Sequence, residues 1–84
     1  MPQVRVRVER QVLMSRAEID HLDAMLIPIL SKRIAASHAV IVEKRAAGLP
    51  VLDAAREEQI LVKAPAGPAR DAMAAILRIC RETA

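Results

Sequence analysis

The stretch Ser15–Ala47, SRAEIDHLDAMLIPILSKRIAASHAVIVEKRAA, decides how this chain folds. Ile19, Leu22, Leu26, Ile29 and Leu30 recur at three- and four-residue steps, and Ile34, Val40 and Ile41 carry the stripe on. That is the period of a helix with one apolar face. Ser15-Arg16-Ala17-Glu18 has the spacing of a capping box at the start. Gly48 is the kind of residue that ends a helix, and Pro50 lies just beyond it. At about 1.5 Å per residue the helix would be roughly 45–50 Å long. Pro28 interrupts it, costing about 3 kcal/mol through a lost hydrogen bond and a clash with the preceding turn. The apolar pattern passes Pro28 without changing phase, so a kink is expected and not a break. Arg33 and Lys44 are eleven residues apart, close to three whole turns, and so point the same way.

The rest of the chain is too short to cover such a helix. Its 84 residues make one domain, near the size at which a lone core is marginal. Apolar residues are 54% of the total, yet Phe, Tyr and Trp are absent. The core must be built from Leu, Ile, Val, Met and Ala, which points to helix packed on helix across a subunit interface. The expected fold is all-α, with one long, one short and one medium helix per chain, in an obligate homodimer. The net charge of +3 suits nucleic acid, an acidic membrane surface or a small anionic substrate. The single cysteine, Cys80, allows no internal disulfide and no metal cluster. No apolar run reads as long enough to span a bilayer, and the N-terminus lacks a signal peptide's apolar core. A soluble cytoplasmic protein is expected.

Around the long helix, Val4, Val6 and Val8 alternate with Arg5, Arg7 and Glu9, which is strand periodicity. In a helical chain a lone strand has no partner, so residues 1–14 are expected to form a loosely ordered N-terminal arm beside a helical domain over 15–84. An edge pairing with a second copy and a helical extension are the other readings of the arm. As a nucleic-acid arm it lacks aromatic residues on which bases could stack. Asp53 is placed to cap a short helix from Ala54 to about Lys63, and Pro68 fits the first position of a third, ending near Thr83. Met73, Ile76, Leu77 and Cys80 form the apolar stripe of that third helix. His21 and His38, seventeen residues apart, have no Cys or His at ligand spacing, so no metal site is expected. Asp20 and Asp23 lie in the first turns, where carboxylates suit the positive end of the helix dipole; Asp20 reads as a surface charge, and Asp23, nearer the apolar stripe, is placed to pair with a cation.

Cations on an apolar helix face are costly unless something negative meets them. Arg33 and Lys44 lie there, and Arg56 and Glu57 follow a short connection later. A structural salt-bridge network or plain solvation would explain them. So would a cationic pocket for a small polyanion, with arginines holding carboxylates in bidentate fashion and lysine supplying a compact charge.

At these residues the sequence resembles the all-helical, type II chorismate mutases. The ordered set is Ile19-Asp20-x-Leu22-Asp23, Arg33, Lys44, and Gly48-Leu49-Pro50-Val51-x-Asp53-x-x-Arg56-Glu57. The segment Leu77-Arg78-Ile79-Cys80-Arg81-Glu82-Thr83 is similar to the start of the last helix's signature. The resemblance implies an intertwined homodimer of three-helix chains with shared active sites. The implied reaction is the Claisen rearrangement of chorismate to prephenate in aromatic amino-acid biosynthesis, with no cofactor. The dicarboxylate would be clamped in its reactive conformer, which removes orientational entropy from the barrier. A donor aimed at the ether oxygen would stabilise the charge that develops there.

By that resemblance Arg33 of one chain and Arg16 of the other grip carboxylates, and Lys44 donates to the ether oxygen. Asp53 and Glu57 contact the ring hydroxyl, Arg56 completes the polar wall, and Thr83 stands where the family commonly has serine. The family's Gln or Glu, one turn after that serine, would fall beyond Ala84. Activity is therefore expected to be weak unless another group substitutes or an activating protein partner orders the site. The same scaffold hosts isochorismate pyruvate lyase and aminodeoxychorismate mutase, and Asp53 and Glu57 could equally receive an ammonium group. Outside the active enzymes, the other readings are a non-catalytic helical dimer binding a protein or nucleic acid, and a degenerate mutase that keeps the fold and only regulates a partner.

Overall fold

The computed structural model describes residues 2–84. They form three helices: α1 over Pro2–Ala46, α2 over Ala54–Leu61 and α3 over Pro68–Glu82. No strand occurs among the described residues. The all-helical expectation holds, but α1 starts thirteen residues earlier than its sequence signal, at Pro2 and not at Ser15. The valine–arginine alternation of residues 4–9 therefore forms helix and not strand. The physical reason is hydrogen bonding. A lone strand leaves its backbone groups without a ladder, whereas a helix satisfies them within the segment. Pro28 lies inside α1 without ending it.

The chain divides into two compact units, Met1–Lys32 and Arg33–Ala84. The first consists of α1 alone. From Gln3 to Ile29 every side chain is exposed, including Ile19, Leu22, Leu26 and Ile29 of the expected stripe. On a helix Val4 and Val8 share one side, one turn apart, while Val6 falls nearly opposite, so the three do not form a single face.

By length and composition α1 also contains a section apolar enough to cross a membrane, with mean hydropathy 1.5, contrary to the sequence expectation. Lys32 and Arg33 fall within its most apolar part, Met25–Val42. Each would cost about 2.5–3.5 kcal/mol at the centre of a bilayer, which argues against a crossing.

The second unit carries the tertiary structure. Gly48, at φ 70°, ends α1. Its N–H donates to the Arg45 carbonyl at 3.2 Å, and the Leu49 N–H donates to the Lys44 carbonyl at 2.8 Å. These two bonds close a helix end when the following residue is left-handed. Asp53 caps α2, its Oδ1 accepting from the Arg56 N–H at 3.0 Å. Gly67, at φ 112°, precedes Pro68 at the first position of α3. Between the two, Arg70 donates Nε and Nη2 to the Ala64 carbonyl at 3.1 and 2.9 Å, pinning the connection.

Helices α2 and α3 pack on each other. Among the described residues the buried apolar side chains are Ile41 of α1 and Leu77 and Cys80 of α3. Cys80, 1% exposed, also accepts from Arg33 Nη1 at 3.7 Å, which ties α3 to the last turns of α1.

Because Gly48 alone supplies the left-handed turn after α1, Gly48→Ala should lower stability by about 1 kcal/mol. That should appear in thermal unfolding as a loss of roughly 4–8 °C in Tm for a domain of this size.

Candidate active site

The second unit encloses a cavity of about 320 Å³, at the lower end of the range typical of small-molecule sites. Its apolar lining includes Val40, Ile41, Val51, Ile60 and Leu77, of which Ile41 and Leu77 are buried. Its charged lining is Arg33, Lys44, Asp53, Arg56, Glu57 and Arg81. Four cations against two carboxylates leave a formal charge of +2.

Each charged group reaches the cavity for a local reason. Arg33 and Lys44 are half-buried, eleven residues apart on α1. Asp53 is held at the rim by its capping bond, and the same bond fixes the start of α2, from which Arg56 and Glu57 follow. Arg81 lies one turn beyond Leu77 on α3, the helical step that brings it to the same face.

The bonding of the cations is uneven. Arg81 Nη1 donates to both Oε1 and Oε2 of Glu57, forming an ion pair between half-buried side chains. The other three have neutral acceptors. Arg33 Nη1 donates to Cys80 Sγ, Lys44 Nζ to the Val51 carbonyl at 3.3 Å, and Arg56 Nη1 to Gln59 Oε1 at 3.5 Å. None of these three makes an ion pair among the described residues. Their charge is oriented by sulfur, carbonyl and amide, but it is not cancelled. A half-enclosed site with this surplus attracts small polyanions, and its walls reduce the screening an exposed charge would feel.

Of the residues singled out in the sequence, Arg33, Lys44, Asp53, Arg56 and Glu57 line this one cavity. Arg16 belongs to the first unit, where its side chain is exposed. Thr83 is not in the cavity wall. Its Oγ1 donates to the Ile79 carbonyl at 2.7 Å and is 2.9 Å from His38 Nε2. With its proton committed to Ile79, the hydroxyl accepts from the His38 N–H, which assigns the tautomer. His38, read from sequence as solvated or partly packed, thus holds the end of α3. Arg45 assists by donating to the Ala84 carbonyl at 3.3 Å.

Arg81 is the functional candidate that sequence reasoning passed over. Its signal was a cation one turn after Leu77, on the third helix's apolar stripe.

Residues 15–82 match the family model described as chorismate mutase type II. The chain belongs to the chorismate mutase type II family. Comparison with curated proteins and with solved structures gives no match. Membership makes an isomerase of the chorismate mutase type the family expectation for the cavity, and chorismate the family substrate.

If the surplus charge governs binding in this mutase-family cavity, a small dicarboxylate such as malonate should bind more tightly than acetate. Calorimetry should show that affinity falling several-fold between about 0.01 and 1 M salt, as the Debye length shrinks from about 30 to 3 Å.

Proposed function

We propose that this protein is a chorismate mutase, converting chorismate to prephenate, and that the second unit's cavity is its active site. The carrying observation is the pair of half-buried cations, Arg33 and Lys44, held by neutral acceptors, with the exposed Arg56 beside them, in a cavity of net charge +2. That charge is equal and opposite to a doubly ionised diacid. The rearrangement needs no covalent attachment to the protein and no proton transfer. The work left to the protein is to hold one conformer and to stabilise charge.

In this reading Arg33 grips one carboxylate, its guanidinium fork matching the two oxygens. Lys44 turns from the Val51 carbonyl to the ether oxygen as the carbon–oxygen bond breaks and negative charge gathers there. Because that charge is greatest in the transition state, the contact lowers the barrier more than it tightens ground-state binding. Asp53 and Glu57 accept from the ring hydroxyl, and Arg56 closes the polar wall.

The assembly is a soluble cytoplasmic homodimer. Three buried apolar side chains in the second unit and none among residues 3–32 leave Ile19, Leu22, Leu26 and Ile29 for a second copy to cover. The second carboxylate is then met by Arg16 of the partner subunit, near the start of the region that matches the family. Residues 1–14 lie outside that catalytic domain. Thr83, outside the cavity wall, reaches the ring carboxylate by turning its O–H away from the Ile79 carbonyl.

Purified protein should consume chorismate, seen as loss of its ultraviolet band with prephenate as product. Lys44→Ala should lower kcat by about 10²–10³, the cost of removing one such donor, while circular dichroism stays helical. An unchanged band with wild-type protein would overturn the proposal. For the dimer, Tm should rise with protein concentration, as mass action requires of a chain whose folded state needs its mate.

A further inference from the structure

Arg81 differs from the other three cations of the cavity in having a carboxylate partner. Its Nη1 is held between both oxygens of Glu57, and both side chains are half-buried: 32% exposed for Arg81 and 23% for Glu57. We infer that Arg81 is a specificity-determining residue. It acts through Glu57 to make the site accept a ring hydroxyl and reject a ring ammonium. This rests on the proposed function and concerns the choice between chorismate and its amino analogue.

A carboxylate can do two separable things for a ligand. It offers about four lone-pair positions to donors, and it offers a unit of negative charge. The contacts to Arg81 Nη1 occupy part of the first and cancel the second. Glu57 keeps lone pairs for a hydroxyl O–H, which needs an acceptor but no net charge. An ammonium draws most of its binding from the charge, and here it would meet a neutralised carboxylate with a guanidinium behind it.

The whole lining gives the same answer. Arg33, Lys44, Arg56 and Arg81 against Asp53 and Glu57 sum to +2, which balances a dicarboxylate. An added ring ammonium lowers the ligand to a net −1 and leaves the cavity over-positive. Removing Arg81 would lower the lining to +1 and match the amino compound instead. Asp53 does not supply the missing negative charge at Glu57. It is exposed at the rim, and its Oδ1 already accepts from the Arg56 N–H.

The test compares kcat/KM for chorismate and for its amino analogue in wild type and three variants. Wild type should prefer chorismate. Arg81→Met should shift the ratio toward the amino compound by about tenfold or more, the scale expected for one unit charge at a partly screened site. Arg81→Met combined with Glu57→Gln restores the +2 lining, so the preference should return toward chorismate. Glu57→Gln alone raises the lining to +3 and should reduce use of the amino compound further; it is informative even if Arg81→Met folds poorly. Equal losses on both substrates, with every ratio within about twofold of wild type, would make Arg81 a packing residue and overturn the inference while leaving the proposed function standing. Wild-type protein that turns over neither compound would overturn both.

Discussion

The second unit depends on keeping positive charge oriented without neutralising it. Arginine and lysine side chains normally reach water or a carboxylate, and in either case their orienting power toward a ligand is spent. Here Arg33 rests on a buried thiol, Lys44 on a backbone carbonyl and Arg56 on a glutamine amide. A neutral acceptor fixes direction at little cost in field, because it contributes a dipole and not an opposing charge. The apolar floor of Ile41 and Leu77 then lowers the local dielectric, which strengthens what remains. The arrangement also explains why Cys80 is so deeply buried. It fills the core and supplies the acceptor that holds Arg33.

Much of this was legible in the sequence because it is set by local chemistry. Gly48 closes α1 because the turn needs a left-handed residue, Asp53 caps α2 because a carboxylate satisfies an orphan N–H, and Pro68 opens α3 where a missing N–H costs nothing. Arg33 and Lys44 share the cavity because eleven residues is near three turns, and the loop chemistry brings Asp53, Arg56 and Glu57 to the same wall. The start of α1 was not legible. The alternation of Val4, Val6 and Val8 signals a strand only where another strand can pair with it, and the sequence offers none. A capping box at Ser15 is likewise only an opportunity, because a helix arriving from upstream has no orphan N–H groups there to cap.

Arg81 was hidden for a different reason. Its partner Glu57 is 24 residues away on another helix, and no periodicity links two positions across a tertiary contact. What the sequence did carry was a contradiction. Met73, Ile76, Leu77 and Cys80 define an apolar stripe, and a residue four beyond Leu77 falls on it. A cation at that place has to be paired or has to face a cavity, and Arg81 does both. Thr83 illustrates the converse. A hydroxyl near a helix end has nearby backbone carbonyls to bond, and at this position Ile79 and His38 take up both of its roles.

The scarcity of buried apolar surface bears on the chemistry as well as on stability. A site that works by holding one conformer needs walls stiff enough to resist the ligand's other shapes. Ile41, Leu77 and Cys80 are few to stiffen three helices, and the exposed leucines and isoleucines of α1 show where further packing is to be had. Covering them would do more than raise stability. It would restrict the rotamers of Arg33 and Lys44 on the same helix and slow the exchange of water from the cavity. Both changes increase the share of the cationic field that a ligand feels at the moment of reaction. In the proposed function, assembly and catalysis are then one requirement, since the exposed apolar surface and the cavity's cations are carried by a single helix.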